Sequence, residues 1–285
     1  MKIFQKPSKP SGFIEKTIYE IVLFFRESIY NEETAALNGF LQKCDPRAKL
    51  ITALLLLISS LLSKSPLQLA IIYSFVLFAF LFSSVSWNFY LKRIFIIPLF
   101  SFIIVIPAFF SFVTPGKSLI VFHFFSFSFS ITEQGISTGL IFFMRVLTSV
   151  STIILLILTT RSHVLLKVLR IFGVPHLFVM VFGMAFRYIF LLLDIIHKTY
   201  LAIKSRTGFV KSLQNGNYIA GVTIAGIWLK SYQLQNQVYN AMLSRGFTSE
   251  PVVDFNFRIK TIDILIVIIS ISILTGTIWL NQYLN

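Results

Sequence analysis

Lys204-Ser205-Arg206-Thr207-Gly208 and Leu243-Ser244-Arg245-Gly246-Phe247 close the two halves of a polar stretch, Phe186 to Phe247, set between strongly apolar segments. The stretch reads as two amphipathic helices, each finishing on Ser-Arg. The first covers 176–205. Its first half is apolar apart from His176 and Arg187, and its second half carries Asp194, His197, Lys198 and Lys204. Asp194 and His197 can pair at i, i+3. Residues 207–217 hold Gly208, Gly216 and two Asn, which predicts a connector. The second helix is predicted from Tyr218 to Ser244, with an apolar face of Leu234, Val238, Ala241 and Met242. Lys230, Gln233, Gln235, Asn236, Gln237 and Asn240 crowd the other side. So many amides place this part outside hydrocarbon. Gly246 is the expected left-handed residue just past a helix end. Two reasons for the arginines stay open. A cation at a helix C-terminus is favourable through the helix dipole. Arginine's rigid fork of donors also suits the carboxylates of a soluble acidic partner.

Outward from this stretch the chain is a bilayer frame. It is 285 residues long, 56% hydrophobic and 13% charged, with mean hydropathy +0.81. Soluble domains carry about a quarter charged residues. Several runs approach the roughly 20 apolar residues that cross a bilayer core, and the alternation of an outer-membrane barrel is missing. The fold class is therefore an all-α polytopic membrane protein, with about five transmembrane helices plus long amphipathic cytoplasmic helices. The net charge of +14 does not point to nucleic acid. Residues 161–260 hold 12 Lys/Arg against Asp194, Glu250 and Asp254, so +9 of the +14 lies there, as the positive-inside bias requires. Cys44 is the single cysteine, so no intrachain disulfide forms. The N-terminal Lys2, Lys6 and Lys9 are not followed by a signal-peptide pattern.

In chain order, 1–44 is predicted as a basic tail and an interfacial amphipathic helix, whose stripe is Ile14, Ile18, Ile21, Phe25 and Ile29. Residues 45–160 hold transmembrane helices 1–4, residues 161–260 the cytoplasmic helices, and 261–285 the last span. Asp45 suits an N-cap and Pro46 the first helical position. Spans are expected at about 49–63, to Val85, 94–113, 135–159 and 262–280. Lys92 and Arg93 are expected in an inside loop, and Pro98 and Pro107 as kinks. Residues 114–134 alternate Phe and Ser from Phe125 to Ser130, which suggests an extended outer segment, either an interfacial loop or a docking surface. Gly135 and Gly139 have the spacing for close helix approach. Arg145, within a span, must face protein or water, as a tie to a carbonyl or as part of a moving surface; the tie is favoured. Ser162 is expected to cap a short helix through Phe172, closed by Gly173 and Pro175.

The chemistry of an enzyme or an autonomous pump is missing. Gly221-x4-Gly226 continues into Ile227-Trp228, which cannot cradle a nucleotide phosphate. His123, His163, His176 and His197 lack metal-ligand spacing. No catalytic, cofactor-binding or metal residue is assigned. A membrane-embedded enzyme remains the alternative of another class.

Asp45-Pro46-Arg47-Ala48-Lys49-Leu50, Thr159-Thr160, Leu169-Arg170-Ile171-Phe172-Gly173-Val174-Pro175, Phe186-Arg187-Tyr188-Ile189-Phe190 and Ser244-Arg245-Gly246-Phe247 resemble the transmembrane T component of energy-coupling factor (ECF) importers. The resemblance covers about residues 40–250, and the Leu-Arg-x-x-Gly-x-Pro and Phe-Arg-Tyr pieces are closest to the CbiQ branch. It implies a non-catalytic subunit of an ABC importer in the prokaryotic cytoplasmic membrane. Two ABC ATPase subunits, which bind the ATP, are its implied cytoplasmic partners, and a substrate-binding S component is its partner in the bilayer. Cobalt or nickel is the implied cargo, with a shared vitamin-importing module as the alternative. By the same resemblance the ATPase-coupling residues are Ser205, Arg206 and Gly208, then Ser244, Arg245 and Gly246. Thr207 stands where the family has Gly in the first motif.

Overall fold

The computed structural model describes residues 39–109, 118–124, 127–207, 213–247 and 259–283. The amphipathic segment expected at Ile14–Ile29 and Gly208 lie outside the described residues. The helices are α1 (Pro46–Leu62), α2 (Pro66–Leu81), α3 (Trp87–Val105), α4 (Glu133–Thr159), α5 (Ser162–Ile171), α6 (His176–Thr207), α7 (Leu213–Ser244) and α8 (Thr261–Tyr283). An antiparallel hairpin, β1 (Ser118–Phe124) and β2 (Phe127–Thr132), precedes α4. Over 127–130 it bears out the extended reading of the Phe/Ser alternation; Phe125 and Ser126 lie outside the described residues. The protein is an all-α polytopic membrane protein carrying this one small sheet among the described residues.

Two compact units divide the chain, one holding 39–165 and 259–283, the other 166–207 and 213–247. In the first, α4 packs against α1, α2 and α3, and α8 packs along α1. The core comes from Leu56, Ile72, Val76, Phe80, Tyr90, Leu155 and Leu158. Phe80 stacks on Tyr90 with ring centroids 4.0 Å apart. The buried side of α4 includes Gly135, Gly139, Thr148, Ser151, Thr152 and Thr159. Small residues there allow close helix approach. Thr148, Thr152 and Thr159 each donate to the carbonyl four residues back, which satisfies them inside their own helix.

Sequence signals set the helix starts. Asp45 accepts from the Arg47 N–H with Pro46 at the first position. Ser65 and Gln68 form a capping box ahead of α2, again with Pro at the start. Thr132 accepts from the Gly135 N–H. Several boundaries differ from expectation. The second span ends at Leu81, not Val85. Lys92 and Arg93 lie in α3 rather than in a loop, and the Arg93 guanidinium sits 4.7 Å over the Phe89 ring one turn earlier. Pro98 is inside α3. Pro107 instead falls in the 3-10 turn Ile106–Phe109 that follows α3, so it accompanies the helix end rather than a kink. Ser162 is the first residue of α5, whose first turn closes on the Arg161 carbonyl.

Among the described residues, α3, α4, α8 and His176–Ile196 of α6 are long and apolar enough to cross a membrane. Helices α1 and α2 have 17 and 16 residues, about 25 Å at 1.5 Å per residue, a little short of a ~30 Å hydrocarbon core. The apolar first half of α6 thus meets the same criterion as the expected spans.

Three polar ties through charged side chains help hold the first unit, beside others such as Asn281 Nδ2 donating to the Leu62 carbonyl at 2.6 Å. Arg145 of α4 donates to the Ser60 carbonyl (3.2 Å) and the Ser63 carbonyl (2.7 Å), both at the end of α1. The intramembrane charge is therefore a carbonyl tie. At the opposite end of α1, Lys49 Nζ donates to the carbonyls of Gln42 (3.2 Å) and Thr159 (3.1 Å). Asp263, fully buried, accepts from the Lys260 N–H (2.8 Å) and the Asp45 N–H (3.0 Å), so one carboxylate serves the starts of α8 and α1.

Candidate functional site

Helix α7 ends as the sequence foretells. Arg245 follows its last helical residue, Ser244, and Gly246 takes φ +76°. The Gly246 N–H bonds the Leu243 carbonyl at 3.0 Å, and the Phe247 N–H reaches back to Met242 at 3.1 Å. These two bonds form a Schellman end, which satisfies carbonyls that would otherwise lack partners. Ser244 Oγ donates to the Asn240 carbonyl at 2.9 Å. Serine, glycine and backbone thus stiffen the turn, and Arg245 is exposed on it.

Helix α6 ends differently. Ser205 Oγ donates to the Ala202 carbonyl at 2.9 Å, and Arg206 is exposed in the last turn. The helix continues through Thr207. Arg206 is therefore still helical, whereas Arg245 is the residue that leaves its helix. Thr207 holds the place after Arg206 that Gly246 holds after Arg245, and a β-branched residue does not take the positive φ that ends a helix in the left-handed manner.

The connector is shorter than expected. Helix α7 starts at Leu213, so Gly216 and Asn217 are helical and only 208–212 separates the two helices. One glycine costs a helix about 1 kcal/mol, too little to stop a run of 32 residues. That length is about 48 Å. The second Ser-Arg end sits at the far end of this rod from the connector that follows the first. The two arginines form two separate tips, not one cluster.

Helices α6 and α7 pack on each other. The half-buried stripe of α7 is Thr223, Ile227, Ser231, Leu234, Val238 and Met242, while Ala241, expected on the apolar face, is exposed. Gln233, Gln235, Asn236, Gln237 and Asn240 are exposed as expected. So are Ile224 at 68% and Trp228 at 78%, together with Tyr232. Apolar side chains this bare need cover from lipid or protein; the sequence reading passed over them because they share faces with polar residues. Asp194 forms an ion pair with Lys198 at 2.6 Å; the side chain of His197, its expected partner, lies outside the described residues. Among the described residues, no group of three His, Cys, Asp or Glu could hold a metal.

The comparisons with known proteins agree with this architecture. Residues 38–254 match the family model CbiQ, described as cobalt transport protein. An uncharacterized protein of Methanocaldococcus jannaschii is 35% identical over 268 residues, covering 91% of this chain and 89% of the relative. Energy-coupling factor transporter transmembrane proteins EcfT of Staphylococcus aureus and Streptococcus thermophilus are 28% and 29% identical, each covering 74% of this chain and 81% of the relative. The chain belongs to the CbiQ family and is a multi-pass transmembrane T component of the energy-coupling factor type.

Proposed function

We propose that this T component is a non-catalytic mechanical coupler in the prokaryotic cytoplasmic membrane. Two ABC ATPase subunits, which hold the ATP, grip the exposed tips at Arg206 and Arg245 from the cytoplasm, and α6 and α7 carry their motion into the bilayer. A membrane-embedded S component rests in part on the exposed apolar face of α7. The observation that carries the reading is the pair of separated arginine tips, one of them locked by a Schellman turn. The helix dipole favours a cation at each helix end as well; the fixed, solvent-facing pose of Arg245 on its Schellman turn is what supports docking. The residues 161–260 form the cytoplasmic coupling region, of which the apolar first half of α6 is the lipid- or core-facing part. The cargo is cobalt or nickel, a reading supported by the description of the family model.

Arg245→Glu tests the docking. A hydrogen bond to a charged group is worth roughly 1.5–3 kcal/mol, and charge reversal costs more. The variant should remain folded and lose its ATPase subunits on affinity purification. Co-purification at the wild-type level contradicts the reading. Uptake of radioactive cobalt or nickel by cells carrying the whole complex checks the cargo, and a flat response there overturns the cargo alone.

A further inference from the structure

We propose that the first unit holds one anionic phospholipid of the inner leaflet, an acyl chain in its apolar cleft and the headgroup on the exposed Lys43 and Lys260 beside the cleft's polar end. The cleft lies among α1, α2, α4 and α8 and has a volume of about 290 Å³. Leu56, Phe75, Val76, Leu155 and Ile266 line it. Phe78 and Leu265, also on its wall, are 58% and 57% exposed, so the cleft opens on the outer surface of spanning helices. In a bilayer that surface faces lipid.

A slot of this size suits part of one hydrocarbon chain. One end of the cleft is polar: Cys44, Lys49 and Asp263 line it there. Lys49 is fixed by two carbonyls, and Lys260 Nζ lies 3.5 Å from the Lys43 carbonyl. Beside this end, outside the cleft's own lining, stand the exposed Lys43 and Lys260; with Lys49 they outnumber Asp45 and Asp263. Both carboxylates already accept backbone N–H groups at the starts of α1 and α8. An apolar slot with lysines beside its polar end on the positive side of the membrane fits an anionic amphiphile, and basic pockets between spanning helices bind such headgroups.

Native mass spectrometry of the full-length protein in non-denaturing detergent tests this, using phosphatidylglycerol and phosphatidylcholine with identical acyl chains. One phosphatidylglycerol should remain per chain, in preference to phosphatidylcholine. Lys43→Gln and Lys260→Gln, both at exposed positions, should each reduce the preference about fivefold, the worth of one cation near an anionic surface. Ala79→Phe, on the cleft wall, should reduce retention of both lipids. Ala48→Leu, also on the wall, serves if that variant fails to fold. Equal retention of both lipids unaffected by the lysine changes overturns the proposal. So does the absence of bound lipid, a bound peptide or second chain in its place, or full phosphatidylglycerol retention in the wall variants.

Discussion

Gly246 sits at φ +76°, and a Cβ built on it meets nothing within 4 Å. The cost of Gly246→Ala is therefore backbone strain without a clash, about 1–2 kcal/mol. The substitution should fray the Schellman turn, seen as faster hydrogen exchange at Gly246 and Phe247, and should lower ATPase co-purification. Gly246→Asn should lie nearer the wild type, because asparagine tolerates the left-handed region. Equal effects of alanine and asparagine contradict this account of the turn. Cys44 offers a second single-residue test. Burial foremost, and then the nearby Asp263 carboxylate, push its thiol above the ordinary 9.0. The folded protein should resist thiolate-specific alkylation at pH 8 and react fully once denatured. A group whose folded pKa is raised holds its proton more tightly when folded. Its contribution to stability is thus complete below the ordinary value and is lost as pH rises through the folded one. A denaturation midpoint that falls above pH 9 in the wild type but less in Cys44→Ala is the expected sign.

Helix α1 is held at both ends, and the ties differ in how visible they are in the sequence. The N-cap at Asp45 and the glycine stops at Gly173 and Gly246 follow from neighbouring residues, so they were legible. Arg145 was legible as a buried charge in need of oxygen, but not as a partner of Ser60 and Ser63, more than 80 residues away in the chain. Lys49 appeared in the sequence only within the Asp45–Leu50 stretch, whereas it ties Gln42 to Thr159. Asp263 drew no attention; its signal was an acid three residues past Lys260 at the start of a span, where a carboxylate can reach back to the first N–H groups. The start of α7 was misplaced because Gly216 speaks for a local break, and helix length overrides it. Arg145→Met should lower the thermal midpoint in detergent, by a loss of about 3 kcal/mol for two bonds to a charged group. Arg145→Lys should fall between, since lysine lacks the fork. An unchanged midpoint with abolished transport would instead make Arg145 part of a moving surface. Asp263→Asn leaves one acceptor oxygen for two donors and should cost about 1 kcal/mol, measurable in the same melt.

The molecule as a whole divides its labour between a tied helical frame and a pair of long helices with bare, arginine-tipped ends. Separate tips suit two grips better than one. The composition disclosed the membrane and the Ser-Arg repetition disclosed the tips; long-range ties and the exposed Trp228 face required three-dimensional packing. The most direct test of the coupling claim is affinity purification of the chain from its native membranes, followed by identification of what accompanies it and an ATPase assay on the isolated chain. The account predicts nucleotide-binding subunits and a small apolar membrane protein in the complex, with hydrolysis only when those subunits are present. A chain that purifies alone and by itself hydrolyses ATP or moves a solute across a liposome membrane would contradict it.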